Sequence, residues 1–165
     1  MSCARKPRKR TKSQELIYQE QCKNVAHENG KRIGLEGDPD LQFLLRGGDL
    51  LKVKSRSWRK TRYFRLNEDC KTVWQNTSKK FKSDTSFSLE DIEHVRHGRQ
   101  TEGLQKYTDS SVEDRCFSII FKGRRNNLDL IASSKEEAKQ WVSGLEKVIS
   151  SVYNLNRQQN SEQYP

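Results

Sequence analysis

Residues Asp49–Leu66 read DLLKVKSRSWRKTRYFRL, and the spacing of their apolar and basic side chains decides the fold. In the first half Leu51 and Val53 fall on one side while Lys52 and Lys54 fall on the other, the period of two that marks a half-buried strand. A short polar stretch, Ser55–Ser57, leads into a second run, in which Trp58, Arg62, Phe64 and Leu66 share one parity. Two such runs with a polar link between them predict an antiparallel hairpin.

The pattern continues outward from that hairpin. The turn Asn67–Cys70 (NEDC) leads to a third strand, Lys71–Gln75 (KTVWQ), and further strands are expected at Phe87–Arg96 and Cys116–Phe121. Another strand, Leu128–Ala132 (LDLIA), follows the turn KGRRNN. Many short strands joined by turns predict an antiparallel barrel or sandwich. Upstream, Gly37-Asp38-Pro39 breaks the chain. Asp38 is placed to cap a short helix through Leu41–Leu45, with Pro39 in its first position and Gly47-Gly48 as its stop. Downstream the period changes to that of a helix. Ser133 or Ser134 serves as N-cap, and Glu136 or Glu137 three residues on completes a capping box. Ala138, Trp141, Val142, Leu145, Val148 and Ile149 then form one apolar stripe. Trp141 is large enough to plug the open end of a small barrel.

A chain of 165 residues with 32% apolar and 33% charged side chains suits one compact domain with polar flanks. The segment 13–30 carries Leu16, Ile17 and Val25 in a polar background and predicts a weak helix at best. No apolar run approaches the ~20 residues that a bilayer-crossing helix needs, and no apolar core follows the basic N-terminus to make a secretory signal. Cys3, Cys22, Cys70 and Cys116 form no C-x-x-C pair and have no histidine at ligand spacing, so reduced thiols are expected and a metal site is not. Cys3, beside a basic run, is a candidate for palmitoylation, although an unmodified thiol is the plainer reading. His27, His94 and His97 form no nucleophile or metal constellation.

The net charge of +10 matters through its distribution. Met1–Lys12 holds six basic residues and no acid, and Arg46–Lys82 holds twelve Lys or Arg against Asp49, Glu68 and Asp69. Asp84–Arg115 reverses the balance with eight acids against four Lys or Arg. A domain polarised in this way orients toward an anionic surface before contact. Charge alone does not choose between a membrane and a nucleic acid. For any single lysine on a strand, a solvated face that blunts edge pairing is the simpler account. For the set Lys52, Lys54, Arg56, Arg59, Lys60 and Arg62 it is weaker, because crowded like charges cost stability unless an anion is intended. Trp58 at a polar hairpin tip suits a bilayer head-group region. Lysine point charges on one strand and an arginine fork on the next suit vicinal phosphates on an inositol ring.

These same residues resemble a known family. KVKSRSWRKTRYFRL, the NEDCKTVWQ after it, EDRCFSIIFKGRRNNLDLIA and the closing helix with Trp141 are together similar to the pleckstrin homology domain of delta-type phosphoinositide-specific phospholipases C. The resemblance implies a mainly β fold: a seven-stranded, partly open antiparallel barrel capped by one C-terminal helix, occupying residues 38–150. Residues 1–37 are then a basic, largely disordered extension and residues 151–165 a disordered tail. It also implies binding of phosphatidylinositol 4,5-bisphosphate and of inositol 1,4,5-trisphosphate. Lys52, Lys54, Arg62, Lys79 and Arg125 match head-group phosphate ligands. Trp58, Arg59, Thr77, Lys80 and Asn127 match head-group or membrane contacts. Between the third strand and the next, the loop is two residues shorter than in the family: Ser78 stands where an arginine is expected, and Asn127 replaces a threonine.

No cofactor is implied. EF-hands are absent from the 165 residues, as is a catalytic (β/α)₈ barrel of about 250 residues, so the chain by itself is expected to bind rather than to catalyse. The expectation is a monomer, peripheral at the inner face of the plasma membrane and otherwise cytoplasmic, helped onto anionic lipid by its basic tail. Two other readings stand beside it: an N-terminal fragment of a whole phospholipase, and a nucleic-acid binder. The second lacks a recognition helix or an aromatic RNA-binding motif. KPRKR in the tail also reads as a nuclear-import patch.

Overall fold

The computed structural model describes residues 11–76 and 86–163, the last five by their backbone alone. Seven strands form one sheet: β1 (Gly48–Val53), β2 (Arg59–Leu66), β3 (Thr72–Gln75), β4 (Ser86–Ser88), β5 (Ile92–His97), β6 (Cys116–Phe121) and β7 (Leu128–Ile131). Every neighbouring pair is antiparallel, in the order β4-β3-β2-β1-β7-β6-β5. The two edge strands, β4 and β5, are consecutive in the chain, with only the 3-10 turn Leu89–Asp91 between them. That link spans at most about 14 Å, whereas a flat seven-stranded sheet would hold its edges about 29 Å apart. The sheet therefore curls, and the Phe87 ring of β4 meets the Phe121 ring of β6 edge-on at 5.0 Å. Residues 87–96, read from sequence as one strand, are two strands split by this corner.

Four helices surround the sheet: α1 (Lys12–Arg32), α2 (Pro39–Arg46), α3 (Glu102–Tyr107) and α4 (Lys135–Gln163). Helix α2 begins as its sequence predicts, with Asp38 accepting from the Asp40 and Leu41 amides at 2.8 and 3.3 Å and Pro39 at its start. It ends at Gly47, where φ is 74° and an added Cβ would lie 2.4 Å from the Phe64 carbonyl. Only glycine fits both conditions. Phe43 of α2 packs edge-on against Trp141 of α4 at 5.4 Å. Trp141, 2% exposed, joins Leu44, Leu50, Phe64, Leu66, Phe117, Leu130 and Leu145 in the main core. A second, smaller core covers the other face of β1, where Val53, Leu104, Cys116 and Ile131 pack with Leu51, Tyr107 and Val112.

Three expectations need correction. Residues 12–32 form a helix rather than a largely disordered extension. Its start is fixed by a capping box, in which the Gln14 amide donates to Thr11 Oγ1 at 3.1 Å and the Thr11 amide donates to Gln14 Oε1 at 3.0 Å. Its end is tied to the domain: Asn29 Nδ2 donates to the Glu68 carbonyl at 2.8 Å. Gly30 lies so close to Leu41 that a Cβ would approach its Cδ2 to 2.8 Å. Residues 151–163 likewise continue α4, because Val152 extends the buried stripe one turn past Val148, and propagation adds a backbone bond per residue. Finally, the α4 capping box is only half made. The Glu137 amide donates to Ser134 Oγ at 3.1 Å, but the Glu137 carboxylate accepts from the Ser133 hydroxyl instead of the cap's own amide.

Candidate functional site

The β1–β2 ladder fixes which basic residues meet. Its register sets Leu50 opposite Arg62 and Lys52 opposite Lys60. Leu50, Phe64 and Leu66 are core residues, and side chains two apart on a strand share a face. Lys52 on β1 and Lys54 just past its end, with Lys60 and Arg62 on β2, therefore lie on the inward side, beyond the last core layer and at the open end of the curled sheet. Like charges directly opposite one another on a ladder are destabilising, and this register sets two of them face to face at the open end.

Trp58 organises the tip. Its backbone carbonyl accepts from the Lys54 amide at 3.0 Å, and its own amide donates to Ser55 Oγ at 3.0 Å. The half-buried indole is approached by three ammonium groups: Lys54 at 4.7 Å, Lys60 at 5.3 Å and Lys52 at 5.9 Å from the ring centre. The negative face of the ring draws the lysines together.

Across from the hairpin lies the β6–β7 turn. Lys52, Lys54, Arg125, Asn127 and Asp129 line one cleft of about 480 Å³, with Gln75 from the end of β3 and Gly103 and Tyr107 from α3. The Arg125 guanidinium lies over the Phe121 ring at 4.5 Å and the Phe87 ring at 5.5 Å, so it is aimed by the corner that closes the sheet. Among the sequence-predicted residues, Lys52, Lys54, Arg125 and Asn127 thus share a cleft, with Trp58 against its lysines and Arg62 on the same inward face. Arg59 does not join them. Being one residue out of phase, it faces outward and donates to the Tyr107 carbonyl. Thr77, Ser78, Lys79 and Lys80 lie outside the described residues.

The sequence pointed to Lys60 only as one of the basic hairpin set, and Gln75, Gly103 and Tyr107 were not singled out as lining residues. Lys60 was legible from parity, because it falls on the Trp58–Arg62 side of the strand. Gln75 was already placed at the end of a strand. Gly103 and Tyr107 carried no signal, since a six-residue helix shows too little periodicity to read. Among the described residues, no group of His, Cys, Asp and Glu could hold a metal ion. No helix among them is long and apolar enough to cross a membrane.

A seven-stranded antiparallel sheet that curls on itself and is capped by a C-terminal helix defines a module of the pleckstrin homology class. The PH domain family matches residues 44–150, and the chain belongs to that family. It is 52% identical over 133 residues to the 1-phosphatidylinositol 4,5-bisphosphate phosphodiesterase delta-1 of Rattus norvegicus, covering 79% of this chain and 18% of the relative. The Homo sapiens delta-1 protein is 50% identical over the same shares. This chain thus spans about a fifth of those relatives' length and matches their PH domain, which is a lipid-binding, non-catalytic module. Among solved structures, the Inner Membrane Complex sub-compartment protein 1 of Toxoplasma gondii aligns with a TM-score of 0.54 at 16% identity, over 88% of this chain and 98% of that one. S. officinalis PLC21 aligns with a TM-score of 0.53 at 15% identity, over 66% of this chain and 16% of that one. These two show the fold.

Proposed function

We propose that this chain binds phosphatidylinositol 4,5-bisphosphate in membranes, and its free head group inositol 1,4,5-trisphosphate, in the cleft between Trp58 and Arg125. The observation that carries the reading is the register of Lys52 against Lys60, with Arg62 on the diagonal and Arg125 facing them. Lysines give point charges to one phosphate, while the Arg62 guanidinium can fork two oxygens of its neighbour. Asn127 offers an amide to a ring hydroxyl. Lys79, Lys80 and Thr77 belong to the same reading through the loop after β3. Arg59 stays outside the clamp while it bonds the Tyr107 carbonyl.

Trp58 and the exposed basic residues around it meet the bilayer surface. There each added cation contributes about 1 kcal/mol of non-specific attraction, and the cleft contributes the choice of lipid. The chain then acts as a monomer at the inner face of the plasma membrane, by binding and not by hydrolysis. The lipid named in its relatives' activity supports this choice of ligand.

The test is vesicle sedimentation at matched surface charge. Vesicles with phosphatidylinositol 4,5-bisphosphate should retain the protein and release it to micromolar inositol trisphosphate, while phosphatidylserine vesicles should bind weakly and without competition. Equal binding to both, with no competition, would sink the reading. Arg62→Ala should abolish the preference and leave the melting temperature unchanged. Unfolding of that variant would mean that Arg62 is structural.

A further inference from the structure

The cleft opens where a ladder ends. Strands β1 and β7 pair at Leu51 with Ile131 and at Lys52 with Leu130, and their register stops there. Beyond that point Val53 and Lys54 line one side of the cleft, and Asn127, Leu128 and Asp129 line the other. Ladder bonds between β1 and β7 therefore do not set the width of this mouth. Helix α3 crosses behind it on the outer side of the sheet, where Leu104 packs with Val53 and Ile131, and it is tied to both walls. At its start, the capping residue Thr101 donates to Asp129 Oδ1 at 2.8 Å, and Ser118 of β6 donates to the same oxygen at 2.9 Å. At its end, the Arg59 guanidinium of β2 donates to the Tyr107 carbonyl, the favourable place for a cation on a helix. Arg99 fixes the residues on either side of that carbonyl, donating to the Gln105 carbonyl at 3.1 Å and the Thr108 carbonyl at 2.8 Å.

We propose that α3 is a strut that sets the separation of the two walls, and that Arg59 is the positioning residue through which it holds the hairpin. The inference rests on the head-group reading above. The phosphates of an inositol ring have fixed spacing, so walls already held at the matching distance avoid an ordering cost on binding. Arg59 faces away from the cleft, but it closes the β1–β2 ladder opposite Val53. Its chain neighbours are Trp58, whose ring gathers Lys52, Lys54 and Lys60, and Lys60 itself. A tie on the outer side at Arg59 thus fixes the backbone from which the inward cations project. Arg59 touches no phosphate in this account and acts through the helix behind the mouth.

Titration calorimetry with inositol 1,4,5-trisphosphate, run well below each variant's melting temperature, separates positioning from bulk stability. Thr101→Val cuts the tie to β7 without changing any charge, and should weaken binding roughly fivefold, within the range for a mutation along a coupled network. Arg59→Gln cuts the tie to the hairpin and should weaken it by a similar factor. Either cut alone disconnects the walls, so the double variant should bind no more weakly than the weaker single one, the non-additivity of a connected unit. Losses that multiplied in the double variant, or a loss in only one of the two singles, would overturn the proposal, because each residue would then act by itself. Unchanged affinity in both singles, even with a lowered melting temperature, would also overturn it and leave α3 a purely structural element. If Thr101→Val does not fold, Gly103→Ala takes its place with the same expectations. The added Cβ would lie 2.5 Å from Asp129 Oδ2 and push α3 off β7. Wild-type protein that bound no trisphosphate would overturn the head-group reading and this inference with it.

Discussion

Lys52 and Lys60 face each other across the β1–β2 ladder, and neither is needed by the core. On the reading proposed above, these two like charges are set opposite one another to meet a phosphate. Lys60→Gln should therefore raise the melting temperature by about 1–3 °C, as small gains do for a domain of this size, while weakening binding to phosphatidylinositol 4,5-bisphosphate vesicles severalfold. Paired melting and sedimentation assays check it; loss of both stability and binding would mean that the ammonium is structural. The thiols give a second expectation. Burial, then the charges of Asp69 and Glu68, pushes the Cys70 thiol up to about 11. Burial, then the charge of Glu113, pushes Cys116 to about 11 despite nearby arginines. Since the thiolate is the reacting species, brief alkylation at neutral pH followed by peptide mass mapping should label half-buried Cys22 and spare Cys70 and Cys116.

Helices α2 and α4 are joined by a charge cluster, in which Lys147 Nζ lies 3.1 Å from Asp38 Oδ2 and 2.7 Å from Asp40 Oδ2. Desolvation pulls Asp38 upward, but the bond from Lys147 and those from the Asp40 and Leu41 amides outweigh it and hold the carboxyl below its ordinary 3.8. A depressed folded-state value means that this stability is fully present above the unfolded value and is lost as pH falls through the folded one. Lys147→Met should thus lower the melting temperature at pH 7, and the gap from wild type should close as the pH drops below 4. A gap that persisted at pH 2 would mean that lost packing, not charge, explains it. The same elements show what the sequence could reveal. Asp38, Pro39 and Gly47 announce α2 because capping chemistry is local, and β1 and β2 announce themselves through a period of two. Helix α1 was hidden, because Leu16 and Ile17 are 66% and 59% exposed and no apolar face betrays it. Its anchor is one glycine against Leu41 and one amide on the Glu68 carbonyl, contacts that only the folded chain creates. In the cleft, parity disclosed Lys52, Lys54 and Arg62. Arg59, named with that set, faces outward and bonds the Tyr107 carbonyl, a contact that only the folded chain reveals.

The basic cleft and the basic N-terminal run belong to different parts of the chain. Helix α1 docks on the β2–β3 turn through Asn29 and Glu68, while Trp58 marks the other end of β2, eight residues and roughly 25 Å away along the strand. The basic residues of Met1–Lys12 lead into α1, and on the reading proposed above they act as an electrostatic contact independent of the cleft. Such a contact lacks stereochemistry and is screened by salt, whereas the proposed clamp at Lys52, Lys54 and Arg62 would depend on where the phosphates sit on the ring. Deleting residues 1–11 should therefore weaken binding to every anionic vesicle by a similar factor, about thirtyfold at low salt if two of the cations reach the leaflet. It should also flatten the dependence of binding on ionic strength. The concentration of inositol trisphosphate needed to release the protein from phosphatidylinositol 4,5-bisphosphate vesicles should fall with the lost avidity, but calorimetric affinity for the free head group should not move. Sedimentation at two salt concentrations beside calorimetry checks this. A changed affinity for the soluble head group would place part of the N-terminal run in the cleft itself, and the two contacts would then be one.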